Sequence, residues 1–418
     1  MHRILPPLAM CLLAVLLPQE SVLAQPPLLA HWVQMAPGNA AEARVVVSGN
    51  SCPPVVIDGK EAPMRRRAAA DADFPYLLCA VTLPKNLKSI FVLGAELPLP
   101  KAAPQRIAVV GDTGCRIKGF TIQACNDPLG WRFPQIAMQI AKLKPDLIIH
   151  VGDYLYRESP CPARNSTCTG SPSGDNWATW AADFFTPAAP LLATAPIVIV
   201  RGNHEECARA GAGWLRLLGP LAYDVHTPCT DHVAPFAVPL SGLSLVVMDD
   251  AHASDTDAPD DLVRMYRADF AAIAKLAQPR AWLVMHRPIW GVVQFPFGIV
   301  VGGNRTLMAA QDESPIPANV ALMLAGHIHT FEAINYEKGL PPQIIAGEGG
   351  DLLDKAPADL GGRYVGTAKI SSGLSLPDYG FLLLTRGNDR WTIDVLDADG
   401  RRERNCLFFA RKLGCPGL

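Results

Sequence analysis

The chain has 418 residues, of which 49% are hydrophobic and 18% charged, and its net charge is −2. That length is more than one small core organises, and the composition excludes a disordered chain. The near-neutral balance carries no basic stripe of the kind nucleic-acid binding requires; "MRRR" at 64–67 is too short and reads as a solvated patch.

The chain opens "MHRILPPLAMCLLAVLLPQESVLAQPP", with a basic start, an apolar stretch from Leu8 to Leu17, and Val22-Leu23-Ala24 before Gln25. This is the pattern of a secretory signal peptide over residues 1–24, cleaved after Ala24. The stretch is too short to span a bilayer and no later run is long enough, so an exported protein without a transmembrane segment is expected, periplasmic or extracellular. Met10 is bulky ahead of Cys11, which disfavours a lipidated cysteine there. Removing the signal takes away one Arg and one Glu and leaves the charge at −2.

Ten cysteines remain: 52, 79, 115, 125, 161, 168, 207, 229, 406 and 415. An even count in an exported chain points to disulfides. Sequence does not determine their connectivity; the simplest arrangement pairs neighbours, 52–79, 115–125, 161–168, 207–229 and 406–415. A cysteine metal site is the rival reading, and no C-x-x-C pair supports it.

Residues 25–100 hold short strand-like runs, "ARVVVSG", "PVVIDG", "FPYLLCAVTLP" and "SIFVLGAELPLP", separated by turn residues. They read as a small all-β, sandwich-like domain. Its end is marked by "PLPKAAPQ" (98–105), whose residues 101–105 serve as linker. Beyond it the grammar changes. Buried runs end in polar residues: "RIAVVGD" (106–112), "DLIIHVGD" (146–153), "PIVIVRGN" (196–203), "LSLVVMDD" (243–250), "AWLVMHRP" (281–288) and "VALMLAGH" (320–327). Helical stretches such as "PQIAMQIAKLK" and "DLVRMYRADFAAIAKLA" lie between several of them. This alternation predicts an α/β domain over 106–400 with strands buried on both faces. Functional residues of such sheets gather just past the strands' carboxyl ends. "YGFLLLTRG" and "WTIDVLDADG" read as a closing hairpin, and 401–418 as a tail tied by Cys406 and Cys415.

The polar strand ends supply Asp112, Asp153, Asn203 with His204, His286, and His327 with His329. Singly they have plain readings: a turn or helix cap for Asp112, a turn for Asn203, a satisfied core histidine for His286. Jointly they do not. Residues two apart in an extended segment point to one side, so His327 and His329 can face one ion. Two carboxylates, an amide oxygen and three imidazoles are a fair supply for two cations.

"GDTG", "GDYLY", "GNHE", "MHRP" and "GHIH", in that order over roughly 106–350, resemble the calcineurin-like metallophosphoesterases. Many members of that superfamily carry a metal-binding His two residues after the first Asp; here that position is Gly114. The purple acid phosphatase branch has D-x-G followed by G-D-x-x-Y, and this chain has both changes together, Asp112-Thr113-Gly114 and Gly152-Asp153-Tyr154-Leu155-Tyr156. The resemblance implies a four-layer αββα sandwich beside the N-terminal β region. It implies two metal ions: Fe(III) held by Asp112, Asp153, Tyr156 and His329, and a divalent Fe, Zn or Mn held by Asp153, Asn203, His286 and His327. Asp153 bridges them. It further implies a hydroxide nucleophile generated by the metals and a small phosphorylated substrate. His204 is the catalytic residue that meets the phosphate, as a charge stabiliser or proton donor. Tyr156 as plain packing is the alternative.

Glu205 reads either as orienting a neighbouring histidine or as a surface carboxylate, and Arg201 and Arg287 as anion attractors or as structural residues. Leu283 replaces a usual Val three residues before His286, one buried aliphatic for another. More telling, "RPIWGVVQFPFGIVVGGN" is apolar where many of that branch place further histidines. Trp290, Phe295 and Phe297 then form an apolar pocket lip or a packed hairpin. "CPARNSTCTGSPSGDNW" reads as a substrate-side insertion, and Asn165 and Asn304 sit in N-x-S/T sequons. A phosphodiesterase or nucleotide hydrolase on the same metals stays open beside the phosphatase. So does a non-catalytic phosphate-binding protein, although degeneration usually removes ligands and none is missing here. No protein partner is identifiable.

Overall fold

The computed structural model describes residues 27–416. The signal-peptide reading of 1–24 lies outside them. Among the described residues no helix is long and apolar enough to cross a membrane.

Two large sheets pack face to face. One has eleven strands in the order Lys412–Gly414, Arg402–Phe409, Trp391–Asp397, Gly380–Arg386, Arg106–Val110, Leu147–His150, Ile197–Ile199, Leu28–Ala36, Ala40–Val47, Leu77–Thr82, Arg65–Ala68. The other has eight, Phe236–Leu240, Leu243–Val247, Ala281–Val284, Val320–Ala325, Gln343–Ala346, Phe331–Tyr336, Ala368–Leu376, Tyr364–Val365. Arg106–Val110, Leu147–His150 and Ile197–Ile199 in one sheet run parallel to one another, as do Leu243–Val247, Ala281–Val284 and Val320–Ala325 in the other.

The layers follow from alternation. Ile107 and Val109 enter the core between the sheets, with Ile149, Val198, Trp282 and Leu324. Ala108 and Val110 face the opposite way, against the helix Phe133–Leu143, whose Phe133, Ile136, Ala137 and Ile140 form one buried stripe. The second sheet packs its outer face, including Val246, Leu283 and Met323, on Val263, Tyr266, Phe270 and Ile273 of the helix Asp260–Leu276. The result is the expected four-layer αββα arrangement.

Residues 28–96 are all-β, as their runs suggest, and their strands divide in two. Leu28–Ala36 pairs parallel with Ile197–Ile199 through Gln34 and Ile197, so the large sheet continues unbroken into the N-terminal region. A separate four-stranded sheet holds Pro54–Ile57, Lys60–Pro63, Ile90–Val92 and Ala95–Glu96. Val33, Val45, Val55 and Ile90 share the inter-sheet core with Ile107. The closing hairpin Gly380–Arg386 with Trp391–Asp397 forms as anticipated, and Arg402–Phe409 adds to it.

The five disulfides join Cys52–Cys79, Cys115–Cys125, Cys161–Cys168, Cys207–Cys229 and Cys406–Cys415, the neighbour pairing. "MRRR" is not simply a solvated patch. Arg67 is buried and donates to the carbonyls of Arg216, Leu215 and Gly219, satisfying the end of the helix Gly211–Leu217.

Candidate metal centre

Every strand-end residue expected to carry chemistry lies at one edge of the sandwich, past the carboxyl ends of strands from both sheets. The turns that follow the strands are laced together. Asp112 N–H donates to Gly152 O at 2.9 Å, Thr113 N–H to Asp153 O at 3.0 Å, and Gly326 N–H to His286 O at 2.9 Å. Asp112, Asp153 and His327 all take left-handed backbone, with φ of 56°, 57° and 70°. Non-glycine residues hold that conformation only where surroundings impose it, and such strain gathers at functional sites.

Tyr156 is fully buried, and its hydroxyl sits at a convergence of three groups. The oxygen is 3.1 Å from Asp112 Oδ1, 2.8 Å from Asp153 Oδ2 and 3.0 Å from His329 Nε2. A phenol has one proton and cannot donate to two carboxylates at once. His329 Nδ1 donates to Leu352 O at 2.8 Å, which leaves the Nε2 lone pair of the neutral ring facing the same point. Two carboxylates, an imidazole and a phenol converging on one point form a donor set that suits a cation. Burial, with Asp153 and Asp112 beside it, pushes the Tyr156 phenol well above its ordinary pKa, so its ionisation requires a neighbouring positive charge.

The space beside Tyr156 explains Gly114. A Cβ on Gly114 would lie 2.8 Å from Tyr156 Cδ2, 2.7 Å from Tyr154 O and 2.9 Å from Tyr156 N. The tyrosine and its backbone occupy the volume a side chain at 114 would need. Tyr154, the other tyrosine of "GDYLY", is packing: its ring stacks on His150 and its hydroxyl donates to Val200 O at 2.8 Å.

Next to this cluster, Asp153, His286 and His327 present ligand atoms all within 4.8 Å of one another. His286 Nδ1 donates to Val151 O at 2.8 Å, which again points Nε2 inward, 3.0 Å from Asn203 Oδ1 and 3.4 Å from Asp153 Oδ2. Asp153 thus touches both groups. Burial works against a charged His286 and His329, yet the carboxylates around them prevail and lift them to about 9 and about 10. Both rings therefore sit where positive charge is favoured.

His204 lies over the junction. Its ring is 3.7 Å from that of Tyr156, and its backbone N–H donates to Asp153 Oδ1 at 2.8 Å. Its Nδ1 is 2.9 Å from Glu158 Oε1 and 2.6 Å from Arg209 Nη2. Burial pushes His204 down to about 3 in spite of Asp153 and Glu158. Asp153, Asn203, His204, His327 and His329 line a cavity of about 840 Å³. Asp112, Tyr156 and His286 lie beneath its floor.

Several neighbours carry no signal in the sequence. Glu158 is tied to Arg209 and, at 3.0 Å, to Lys118. Arg116 stacks 4.8 Å from the Tyr156 ring and pairs with buried Asp351, which lies 3.5 Å from His329 Nδ1. Asp255 bonds His327 Nε2 at 2.9 Å. These are polar residues on irregular segments, where no periodicity marks them; Glu158, two residues after Tyr156, and Arg209, five after His204, are near enough to have drawn suspicion.

Some expectations change. Glu205 neither orients a histidine nor lies at the surface. It is buried, and its carboxylate accepts from the backbone N–H of Tyr154, Leu155 and Gly202, tying the turns of Asp153 and Asn203 together. Arg201 is buried against Asp231 and Asp249 and is structural. Arg287 donates to Ala251 O and pairs with Asp255, beside His327. Trp290 is core rather than pocket lip, whereas Phe295 lines the cavity. The 161–177 insertion packs on Asn126 through Thr169 O and holds Arg157 through Ser171. Asn304 is buried and caps the helix Arg305–Glu313, so its sequon is closed to a glycan.

The profile of the calcineurin-like phosphoesterases matches residues 105–331, and the chain belongs to that family. Two solved structures share its fold. One is a purple acid phosphatase, PPD1, from yellow lupin (Lupinus luteus) seeds, 13% identical, with a TM-score of 0.54 over 90% of this chain and 73% of that one. The other is PhoD, 12% identical, with a TM-score of 0.53 over 93% of this chain and 91% of that one. No curated protein matches the chain.

Proposed function

We propose that this protein is an exported dinuclear-metal phosphatase acting on phosphate monoesters, akin to the purple acid phosphatases. Asp112, Asp153, Tyr156 and His329 would hold Fe(III); Asp153, Asn203, His286 and His327 would hold a divalent Fe, Zn or Mn. The observation that carries the reading is the buried Tyr156 hydroxyl, on which two carboxylates and an imidazole converge. Five disulfides support export.

Bound cations would supply a hydroxide nucleophile at mild pH and neutralise charge on the phosphate. The chain's own residues do the rest. Asp153 keeps both groups of ligands in one frame. His204, held neutral by burial, lines the cavity, and Glu158, 2.9 Å from its Nδ1, would steady the charge the ring gains by taking up the proton of an arriving phosphate monoester monoanion. Arg116, Lys118 and Arg209 give that side of the cavity a positive field for the anion.

Elemental analysis and a visible spectrum of the exported protein, with a chromogenic phosphate monoester and diester assayed side by side, test this. Iron with a divalent partner, a visible phenolate–Fe(III) band and monoester preference are expected. A colourless, iron-free enzyme with diester preference would replace the reading with a phosphodiesterase on the same fold. Inertness with every metal would leave a phosphate-binding protein.

A further inference from the structure

The same cavity is lined by a hairpin formed by Val292–Gln294 and Val300–Gly302. Its base is fastened. Trp290 and Val292 are buried, Val292 N–H donates to Glu332, and Gly303 N–H donates to Gly291 O at 2.9 Å. Beyond the base it leaves the core. Val293 pairs directly with Val301, so their side chains share a face, and Phe295, two residues on, joins them. All three line the catalytic cavity. Phe295 and Val301 remain about half exposed, at 51% and 48%. Folding gains little from apolar side chains left in water, and a contiguous exposed apolar patch usually marks a site of binding.

The cavity thus has two kinds of lining: Arg116, Lys118, Arg209 and the imidazoles among its polar residues, and the hairpin face of Val293, Phe295 and Val301. A small polar ester would leave the hairpin face wet. An amphiphile covers both, with its phosphate among the cations and its hydrocarbon on the hairpin. We infer that the substrates are phosphate monoesters of apolar alcohols, the alkyl leaving group lying along Val293, Phe295 and Val301. This rests on the phosphatase reading of the same site. Water adds hydroxide to phosphorus, the P–O bond to the alkyl group breaks, and the departing alkoxide takes the remaining proton to leave as the alcohol.

The test is phosphate release from n-alkyl phosphates, ethyl to octyl, below their micelle concentrations, by the metal-loaded enzyme. kcat/KM is expected to rise about twofold or more per methylene, short of the roughly fourfold that complete burial gives. Phe295→Ser should flatten the series, lowering octyl phosphate about tenfold and ethyl phosphate less than twofold. Val301→Thr, which keeps a strand-favouring side chain, should act in the same direction more weakly. Phe297→Ser alters an exposed residue of the same hairpin that does not line the cavity, and it should leave the series unchanged. A flat wild-type series with ethyl phosphate hydrolysed overturns the inference and leaves the phosphatase reading standing. So does a slope that survives both wall variants, or one that only Phe297→Ser abolishes. Failure to hydrolyse any ester removes the phosphatase reading itself.

Discussion

At the scale of single residues, the pairing of Gly114 with Tyr156 is the clearest case of one side chain dictating another. The Cβ contacts at 114 include backbone atoms of 154 and 156, so trimming the tyrosine ring alone does not make room. Gly114→Ala is expected to cost about 1–3 kcal/mol by overpacking and to lower metal retention, checked by denaturant melts and elemental analysis. Tyr156→Phe leaves that packing intact and removes only the oxygen. It should bleach the visible band and lose the first metal while the melting temperature of the metal-free protein barely moves. Glu158→Gln keeps shape and removes charge next to His204. We expect kcat to fall roughly tenfold with metal content unchanged; equal loss of metal would mean that Glu158 supports the ligands rather than His204.

At the scale of elements, Asp183 shows how a helix serves the turns. It lies on the helical stretch 177–192 and is buried. Its carboxylate accepts from the backbone N–H of Tyr156 at 2.8 Å, Arg157 at 3.1 Å and Cys115 at 3.2 Å, and pairs with the Arg157 guanidinium at 2.5 Å. One side chain therefore holds both the segment after Gly114 and the segment bearing Tyr156. Asp183→Ala leaves the buried Arg157 guanidinium without its carboxylate and three N–H groups without their acceptor. It should destabilise the fold by about 3–5 kcal/mol and broaden or shift the visible band, read by chemical denaturation and absorption on the same sample. A carboxylate in "WAADFF" has no motif around it to mark it in the sequence; only the approach of the helix to two distant turns makes it matter.

At the scale of the whole molecule, the N-terminal strands and the catalytic strands share a sheet and a core. Val33, Val45 and Ile90 pack in the cluster that contains Val109 and Ile149. A chain beginning at residue 101 exposes that surface and should be insoluble or lack a cooperative melt; a soluble, cooperative, active fragment would establish 25–100 as a separable domain. The turns that carry the proposed ligands come from both sheets, so cations bound between them would also hold the sandwich shut. Chelation should lower the melting temperature by roughly 3 °C or more, restored by added metal, since a ligand of the native state stabilises it by mass action.

Much of the site was legible before any fold was known. Asp112, Asp153, Asn203, His204, His286, His327 and His329 each stand where an apolar run stops, because a strand buried on both faces must be apolar and can turn polar only on leaving the sheet. The absent side chain at 114 and the tyrosine at 156 were readable as a pair only through their resemblance to the D-x-G and G-D-x-x-Y motifs of the purple acid phosphatases. The even cysteine count was legible too, and the pairing of neighbours, only the simplest of the arrangements the sequence allows, is the one the fold adopts. What the tertiary structure alone decided is what depends on contacts between distant segments. Gln34 meets Ile197, so the N-terminal strands extend the large sheet; Arg116 meets Asp351 beside His329; Glu205 spans two turns; and Phe295 faces the cavity while Trp290, five residues earlier, does not. Edge pairing and buried ion pairs have no local period to announce them, because their partners are chosen by packing across the core rather than along the chain.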